Sequence, residues 1–215
     1  TSAKNDFVIC CMNIAGIKET LKDYDGAVEM YQKVLEVREE IAQDKENFQA
    51  QIDLIEILKI LGRIKSDMDD YKGALETYNY QLKLTEDILR NNNNVQLEDS
   101  LQNLYSGIGF AKENMGDYKG ALEAYKSIVD LIDPFGNEND DDKQYTAALY
   151  YQAIARVKLH MKNPTDAVEA YYESLNIYFG LDNSGYGQGN VKGDIADTYM
   201  MIGNIQSQQG NLNEA

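Results

Sequence analysis

The sequence predicts an all-α fold, a solenoid of antiparallel helix pairs with a repeat period of about 47 residues, and three observations carry that reading. First, one octapeptide pattern returns four times: YDGAVEMY over 24–31, YKGALETY over 71–78, YKGALEAY over 118–125 and PTDAVEAY over 164–171. Its small residue falls at Ala27, Ala74, Ala121, Ala167 and, in a fifth copy that opens as LNEA, Ala215, in steps of 47, 47, 46 and 48. Second, twelve residues ahead of each stands another small residue, Ala15, Gly62, Gly109, Ala155 and Gly203, and each follows an aliphatic, Ile14, Leu61, Ile108, Ile154 and Ile202. Third, the 215 residues hold only two Pro, so little in the chain breaks a helix. Small residues at matched places on successive helices let the backbones approach closely. Stacked neighbours then bury the apolar faces that one pair could not bury alone.

Within each pair the turns are written as Leu21-Lys22-Asp23, Met68-Asp69-Asp70, Met115-Gly116-Asp117, Lys162-Asn163 and Gln209-Gly210-Asn211. Asp or Asn there caps the second helix, Gly closes the first, and Pro164 opens a helix where its missing N–H costs nothing. From Met30 to Leu61 the chain is apolar at helical spacing without Pro or Gly, which predicts long helices with a brief break near Asp44 to Asn47. Looser solvent links are expected at Asn91 to Asn94, at Asp133-Pro134-Phe135-Gly136 with the acidic stretch through Asp142, and at Asp182 to Asn190 with its three glycines. The phase of the repeat survives all of them, so residues 1–215 read as a single array with units near 5–46, 47–93, 94–140, 141–187 and 188–215. The last unit is truncated at Ala215, so the native protein is expected to continue there and this end to fray or to dock on a partner.

With small residues at two columns and Tyr31, Tyr78, Tyr125 and Tyr171 at a third, the unit resembles the tetratricopeptide repeat. The family's usual unit is about 34 residues, so this chain is similar to its long-repeat branch, which includes kinesin light chain-like adaptors, although their HP dipeptide is absent. The resemblance implies a right-handed superhelix whose inner face, lined by first helices, takes a peptide or a partner helix. Carried over residue by residue, it places Met12, Lys59, Arg63, Asn103, Ser106, Phe110, Gln152, Arg156 and Asn204 on that face. Amide side chains there can satisfy a peptide backbone, Phe110 can bury an apolar anchor, and Lys59, Arg63 and Arg156 can accept an acidic side chain. The family's chaperone-binding subtype needs Lys and Asn where this chain has Met12 and Gly16, so its carboxylate clamp is missing. One column is this chain's own: Lys18, Lys65, Lys112 and Lys158 stand where the family often has Tyr. Each lysine stem is expected to cover the seam between helices while its ammonium pairs with a carboxylate of a neighbouring unit. The alternative is a cationic ladder for an acidic peptide.

Composition narrows the function further. With 36 Asp+Glu against 20 Lys+Arg the formal charge is −16, which argues against nucleic acid and anionic membranes and favours partners with basic segments. No run of about 18 apolar residues is present for a membrane span. Cys10 and Cys11 are adjacent, a geometry that disfavours a disulfide, so the chain reads as a protein of a reducing, cytoplasmic compartment with buried structural thiols. His160 is the only imidazole, which leaves no His-based metal site or catalytic triad and makes it a helix-end residue. Gly185-Tyr186-Gly187-Gln188-Gly189 follows a helix rather than a strand and reads as a flexible link, not a phosphate loop. Glu138, Asp140, Asp141 and Asp142 read as a solvated charge run and Asp133-Pro134-Phe135 as a turn. The expected function is therefore a non-catalytic interaction scaffold or adaptor without cofactor or metal, part of a larger assembly or a longer chain. The alternative is the regulatory or substrate-recruiting region of a larger multidomain enzyme or signalling protein.

Overall fold

After the first helix, the Asp23 carboxylate accepts the Gly26 N–H at 3.0 Å, satisfying one of the donors that a helix start leaves without a partner. The same cap recurs as Asp70 on Gly73 and Asp117 on Gly120, both 3.0 Å, and as Asn163 on Asp166 at 3.3 Å. One residue earlier in each turn the backbone is left-handed: Lys22 (φ 61°), Asp69 (59°), Gly116 (78°) and Lys162 (60°), with Gly210 (82°) at the matching place after the last helix. The backbone geometry repeats even where the residue is not glycine.

The computed structural model describes residues 2–44, 47–91, 95–132, 140–187 and 190–210. Among the described residues are nine α-helices and no strand: α1 (Ser2–Thr20), α2 (Tyr24–Ile41), α3 (Phe48–Asp67), α4 (Tyr71–Asn91), α5 (Val95–Asn114), α6 (Tyr118–Ile132), α7 (Asp141–His160), α8 (Pro164–Ser184) and α9 (Asn190–Gln208). The chain is an all-α repeat solenoid in which first helices carry odd numbers and second helices even ones. No helix among the described residues is long and apolar enough to cross a membrane. The helices gather into two compact units, Thr1–Met115 and Gly116–Ala215.

In the first unit α1 packs on α2, α2 on α3, α3 on α4 and α4 on α5, and α3 also meets α5. Its main core joins Val8, Cys11 and Ala15 of α1, Ala27, Tyr31 and Val34 of α2, and Leu54, Ile57, Leu58, Leu61 and Ile64 of α3. The other face of α3 supplies Ile55 to a second cluster with Ile88 and Leu97. Thus α3 is apolar on two sides because it lies between α2 and α4. At Gly62 the small residue has a direct steric cause, because a methyl group there would lie 2.3 Å from Tyr78 Cε1; Gly107, two residues before the α5 member of the column, is tight against the same ring, where a methyl would lie 2.7 Å from Tyr78 Cζ. The Tyr78 ring of α4 therefore fits between the backbones of α3 and α5.

In the second unit α6 packs on α7, α7 on α8 and α8 on α9. Ala147 and Ala148 of α7, Ile177, Tyr178 and Leu181 of α8 and Val191 of α9 form one cluster. Three sequence expectations need correction here. The expected link from Asp182 is helical to Ser184, ends on the left-handed Gly185 (φ 83°), and is anchored rather than flexible: the Tyr186 hydroxyl donates to Asp142 and its ring lies 5.9 Å from that of Tyr145. The acidic run is also not merely solvated, because Asp140 caps α7 by accepting the Lys143 N–H at 3.1 Å, and Asp141 and Asp142 occupy the first turn, where negative charge suits the helix dipole. A third correction concerns the thiols: Cys11 is buried but Cys10 is exposed. Asn92 to Asn94, the Asp133-Pro134-Phe135-Gly136 turn, Glu138, Gln188, Gly189 and the LNEA segment lie outside the described residues.

Candidate functional site

Of the candidate residues, Met12, Lys59, Arg63, Asn103, Ser106 and Phe110 belong to the first unit and Gln152, Arg156 and Asn204 to the second. On α3, Arg63 donates to Glu19 of α1 at 2.8 Å and to Asp67 at 3.0 Å. The Tyr31 hydroxyl of α2 donates to the other Glu19 oxygen at 2.5 Å, so one carboxylate joins three successive helices. Burial raises the Glu19 pKa, but the hydrogen bonds from Arg63 and Tyr31 outweigh it and hold the carboxyl below its ordinary value. Burial, and then the bond to Glu19, push the Tyr31 phenol up to about 12. The Arg63 charge is thus already matched by two carboxylates, a use that composition alone does not reveal.

The other first-unit residues behave differently. Lys59 is exposed, with its ammonium 3.5 Å from Glu56. Asn103 is exposed, Ser106 is half-buried, and Met12 is half-buried against the α1–α3 core, which leaves it less surface to offer than expected. Phe110 is exposed and held edge-on by Tyr71 of α4, with ring centroids 6.0 Å apart at 71°. Tyr71 is a supporting residue that the reading of first-helix columns missed; the Tyr at the head of three of the four octapeptides, Tyr24, Tyr71 and Tyr118, was the available signal.

In the second unit Gln152 is turned to structural use. Its amide donates to Thr198 Oγ1 of α9 at 2.9 Å and to the Tyr178 hydroxyl of α8 at 3.4 Å. Thr198 donates to the Asp194 carbonyl at 2.6 Å, and the Tyr145 hydroxyl donates to the Asp194 carboxylate at 3.0 Å. Burial, and then the Asp194 charge, raise the Tyr178 pKa. Arg156 and Asn204 are exposed. His160, at the end of α7, stacks on Tyr118 with centroids 5.2 Å apart and planes 5° from parallel.

The lysine column serves the helix pair itself. Lys18 Nζ reaches Asp23 at 2.5 Å, Lys65 Nζ reaches Thr77 Oγ1 at 3.0 Å and the Gly73 carbonyl at 3.4 Å, and Lys158 Nζ reaches the Asp166 carbonyl at 3.0 Å. The partners therefore lie in the turn or in the second helix of the same pair, not on a carboxylate of the neighbouring unit as expected. Space for this reach depends on the residue eight positions later: a methyl on Gly26 would lie 2.3 Å from Lys18 Nζ. Three of the four cations are spent inside their pairs, which removes most of the ladder alternative. No group of three His, Cys, Asp or Glu among the described residues is disposed to hold a metal ion.

Residues 9–45, spanning most of α1 and all of α2, match the family model of the tetratricopeptide repeat. No curated protein matches the chain by sequence. Among solved structures the chain is similar to MamA, with 21% identity, 94% of this chain and 87% of that chain covered, and a TM-score of 0.60. It is similar to the apo form of RapI at 13% identity and a TM-score of 0.68, where 96% of this chain covers 49% of that one. The tetratricopeptide-like repeats of a kinesin light chain candidate from Podosopora anserina match at 13% identity over 95% of this chain and 96% of that chain, with a TM-score of 0.59. The structural likenesses carry the fold, a repeat solenoid of helix pairs, and the sequence match marks one tetratricopeptide repeat, at residues 9–45.

Proposed function

We propose that the chain is a non-catalytic interaction scaffold that takes a peptide or partner helix on the first-helix side of its first unit, with Phe110 as the apolar contact. The observation that carries this is Phe110 itself, exposed in a first-helix column whose neighbour Ile108 is buried, and braced by Tyr71. A braced aromatic loses little freedom on binding and offers a large apolar face. Asn103, exposed one full set of turns earlier on α5, is an amide available to a peptide backbone. Because Arg63 already meets Glu19 and Asp67, and the chain carries a charge of −16, the ligand is a neutral or basic segment with an apolar anchor, not an acidic tail.

The test is selection of peptides from a random library on the whole chain, followed by affinity measurement on Phe110→Ala and Asn103→Ala variants of matched helicity. Selected peptides carrying an apolar anchor should bind Phe110→Ala at least about tenfold more weakly. Those with Lys or Arg should weaken further as salt rises. Peptides that bind both variants like the parent would move recognition to the second helices or the links and refute the assignment.

A further inference from the structure

In the turn between α3 and α4 the left-handed residue is Asp69 (φ 59°), although glycine takes that conformation without a steric penalty and does so at Gly116, the matching place of the next turn. The cap of α4 does not need the Asp69 side chain, because Asp70 accepts the Gly73 N–H at 3.0 Å. What the Asp69 carboxylate does is accept the Tyr71 hydroxyl, at 2.5 Å. That bond holds the Tyr71 phenol above its ordinary pKa. The Tyr71 ring in turn lies edge-on to Phe110 of α5, with centroids 6.0 Å apart at 71°. A line of three groups therefore runs from a turn to an exposed aromatic, all within the first unit. The other turns with a tyrosine at the head of the second helix lack its first member: Lys22 stands two residues before Tyr24 and Gly116 two residues before Tyr118, and neither side chain can accept a hydrogen bond.

We infer that Asp69 is a positioning residue of the Phe110 surface: its carboxylate fixes the Tyr71 ring, which holds Phe110 in the orientation offered to a ligand. The inference rests on the reading of Phe110 as the apolar contact and adds what sets its geometry. A contact between two ring edges is weak, and rotation about the two side-chain torsions of Tyr71 competes with it. Tying the hydroxyl at the far end of the ring removes that freedom before a ligand arrives, so the cost of ordering the pair is not taken from the binding step. This gives the left-handed aspartate a use. Among non-glycine residues aspartate is one of the few that enter this conformation readily, and it brings an acceptor with it. Asp69 need not touch the ligand to change its affinity.

The first readout needs no ligand. In the whole chain with ¹³C-labelled phenylalanine rings, the Phe110 signal is identified by its loss in Phe110→Leu, and the Tyr71 ring current displaces it. Asp69→Gly and Tyr71→Phe should each move that signal part-way to its place in Tyr71→Leu, while Asp69→Asn, whose amide oxygen also accepts, should keep the parent's shift. Asp69→Gly should keep the parent's helicity and melting temperature, since glycine fills the same place at Gly116. The second readout is anisotropy of a fluorescein-labelled, library-selected peptide that weakens on Phe110→Ala. It should bind Asp69→Gly and Tyr71→Phe about two- to fivefold more weakly, and Asp69→Asn like the parent. The double variant Asp69→Gly/Tyr71→Phe should bind no more weakly than either single one, because both remove the same bond. A Phe110 signal that ignores Asp69→Gly overturns the tether. Additive losses in the double variant, or a loss that Asp69→Asn shares and high salt abolishes, assign Asp69 a direct ligand contact and overturn the positioning role. Finding no peptide that depends on Phe110 refutes the reading of the surface instead, and the ring shift still decides the tether.

Discussion

Gly62 and Gly16 occupy adjacent columns of neighbouring first helices, and the space around them differs completely. A side chain at Gly62 collides with the buried Tyr78 ring, which also presses on Gly107 and so has no direction in which to retreat, whereas a methyl at Gly16 meets nothing within 4 Å. Gly62→Ala should therefore destabilise the chain by about 1–3 kcal/mol through overpacking. Gly16→Ala, in the interior of α1, should stabilise it by about 0.5–1 kcal/mol by removing glycine's backbone freedom. Denaturant unfolding of the two variants checks the opposite signs. Glu19 gives a second prediction at this scale. Its folded pKa is depressed from 4.5, so its contribution is present above that value and is lost as pH falls through the lower folded pKa. In Glu19→Gln the unfolding free energy should be lower at neutral pH, by about 1–2 kcal/mol for the lost charge-assisted bonds, and should fall less steeply than the parent's below pH 4.5. Parallel acid profiles for the two proteins would remove Glu19 from the account.

At the scale of the element, the turns between paired helices combine a capping carboxylate or amide with one left-handed residue. Glycine takes that conformation without cost, as at Gly116, but Lys22, Asp69 and Lys162 bear the steric penalty of a side chain there. Lys162→Gly should stabilise the chain by about 0.5–1 kcal/mol, while Gly116→Ala should cost about 1 kcal/mol; thermal unfolding of both reads the difference. The caps at Asp23, Asp70, Asp117 and Asn163 and the starts of the second helices were legible because they depend on residues three or four apart. The identity of the buried columns was legible for a similar reason, since apolar and small residues recur at fixed distances from each octapeptide. What could not be read depends on contacts across the chain. Tyr186 finds Asp142 across 44 residues and thereby fixes a glycine-containing segment that looks loose in sequence. Arg63 finds Glu19 across the same separation, which turns a candidate ligand contact into a clasp between α1 and α3. The lysine column was recognisable as a column, but the acceptors of Lys65 and Lys158 include backbone carbonyls, which no residue type announces.

For the whole molecule, the consequence of stacking is that each helix is stabilised by its immediate neighbours. Stability in such a chain approximates a sum over units and the seams between adjacent elements, and a local defect spreads only as far as the coupling across those seams. The residues that hold α3 to α4 and α5, centred on Tyr78, and those that hold α7 to α8 and α9, centred on Gln152 and Thr198, lie in different compact units. Native-state amide exchange on two variants separates local from global coupling. Gly62→Ala should lower protection in α3, α4 and α5 while leaving α8 and α9 close to the parent. Gln152→Leu removes the amide that joins Tyr178 to Thr198, takes one donor away from each of these two buried hydroxyls, and should lower protection in α7, α8 and α9 while sparing α3 and α4. Equal loss of protection across both units in either variant would mean that the chain opens as one cooperative body, and nearest-neighbour stacking would then not describe its stability. If the two patterns stay separate, the first unit can change its exposed surface on binding without loosening the second.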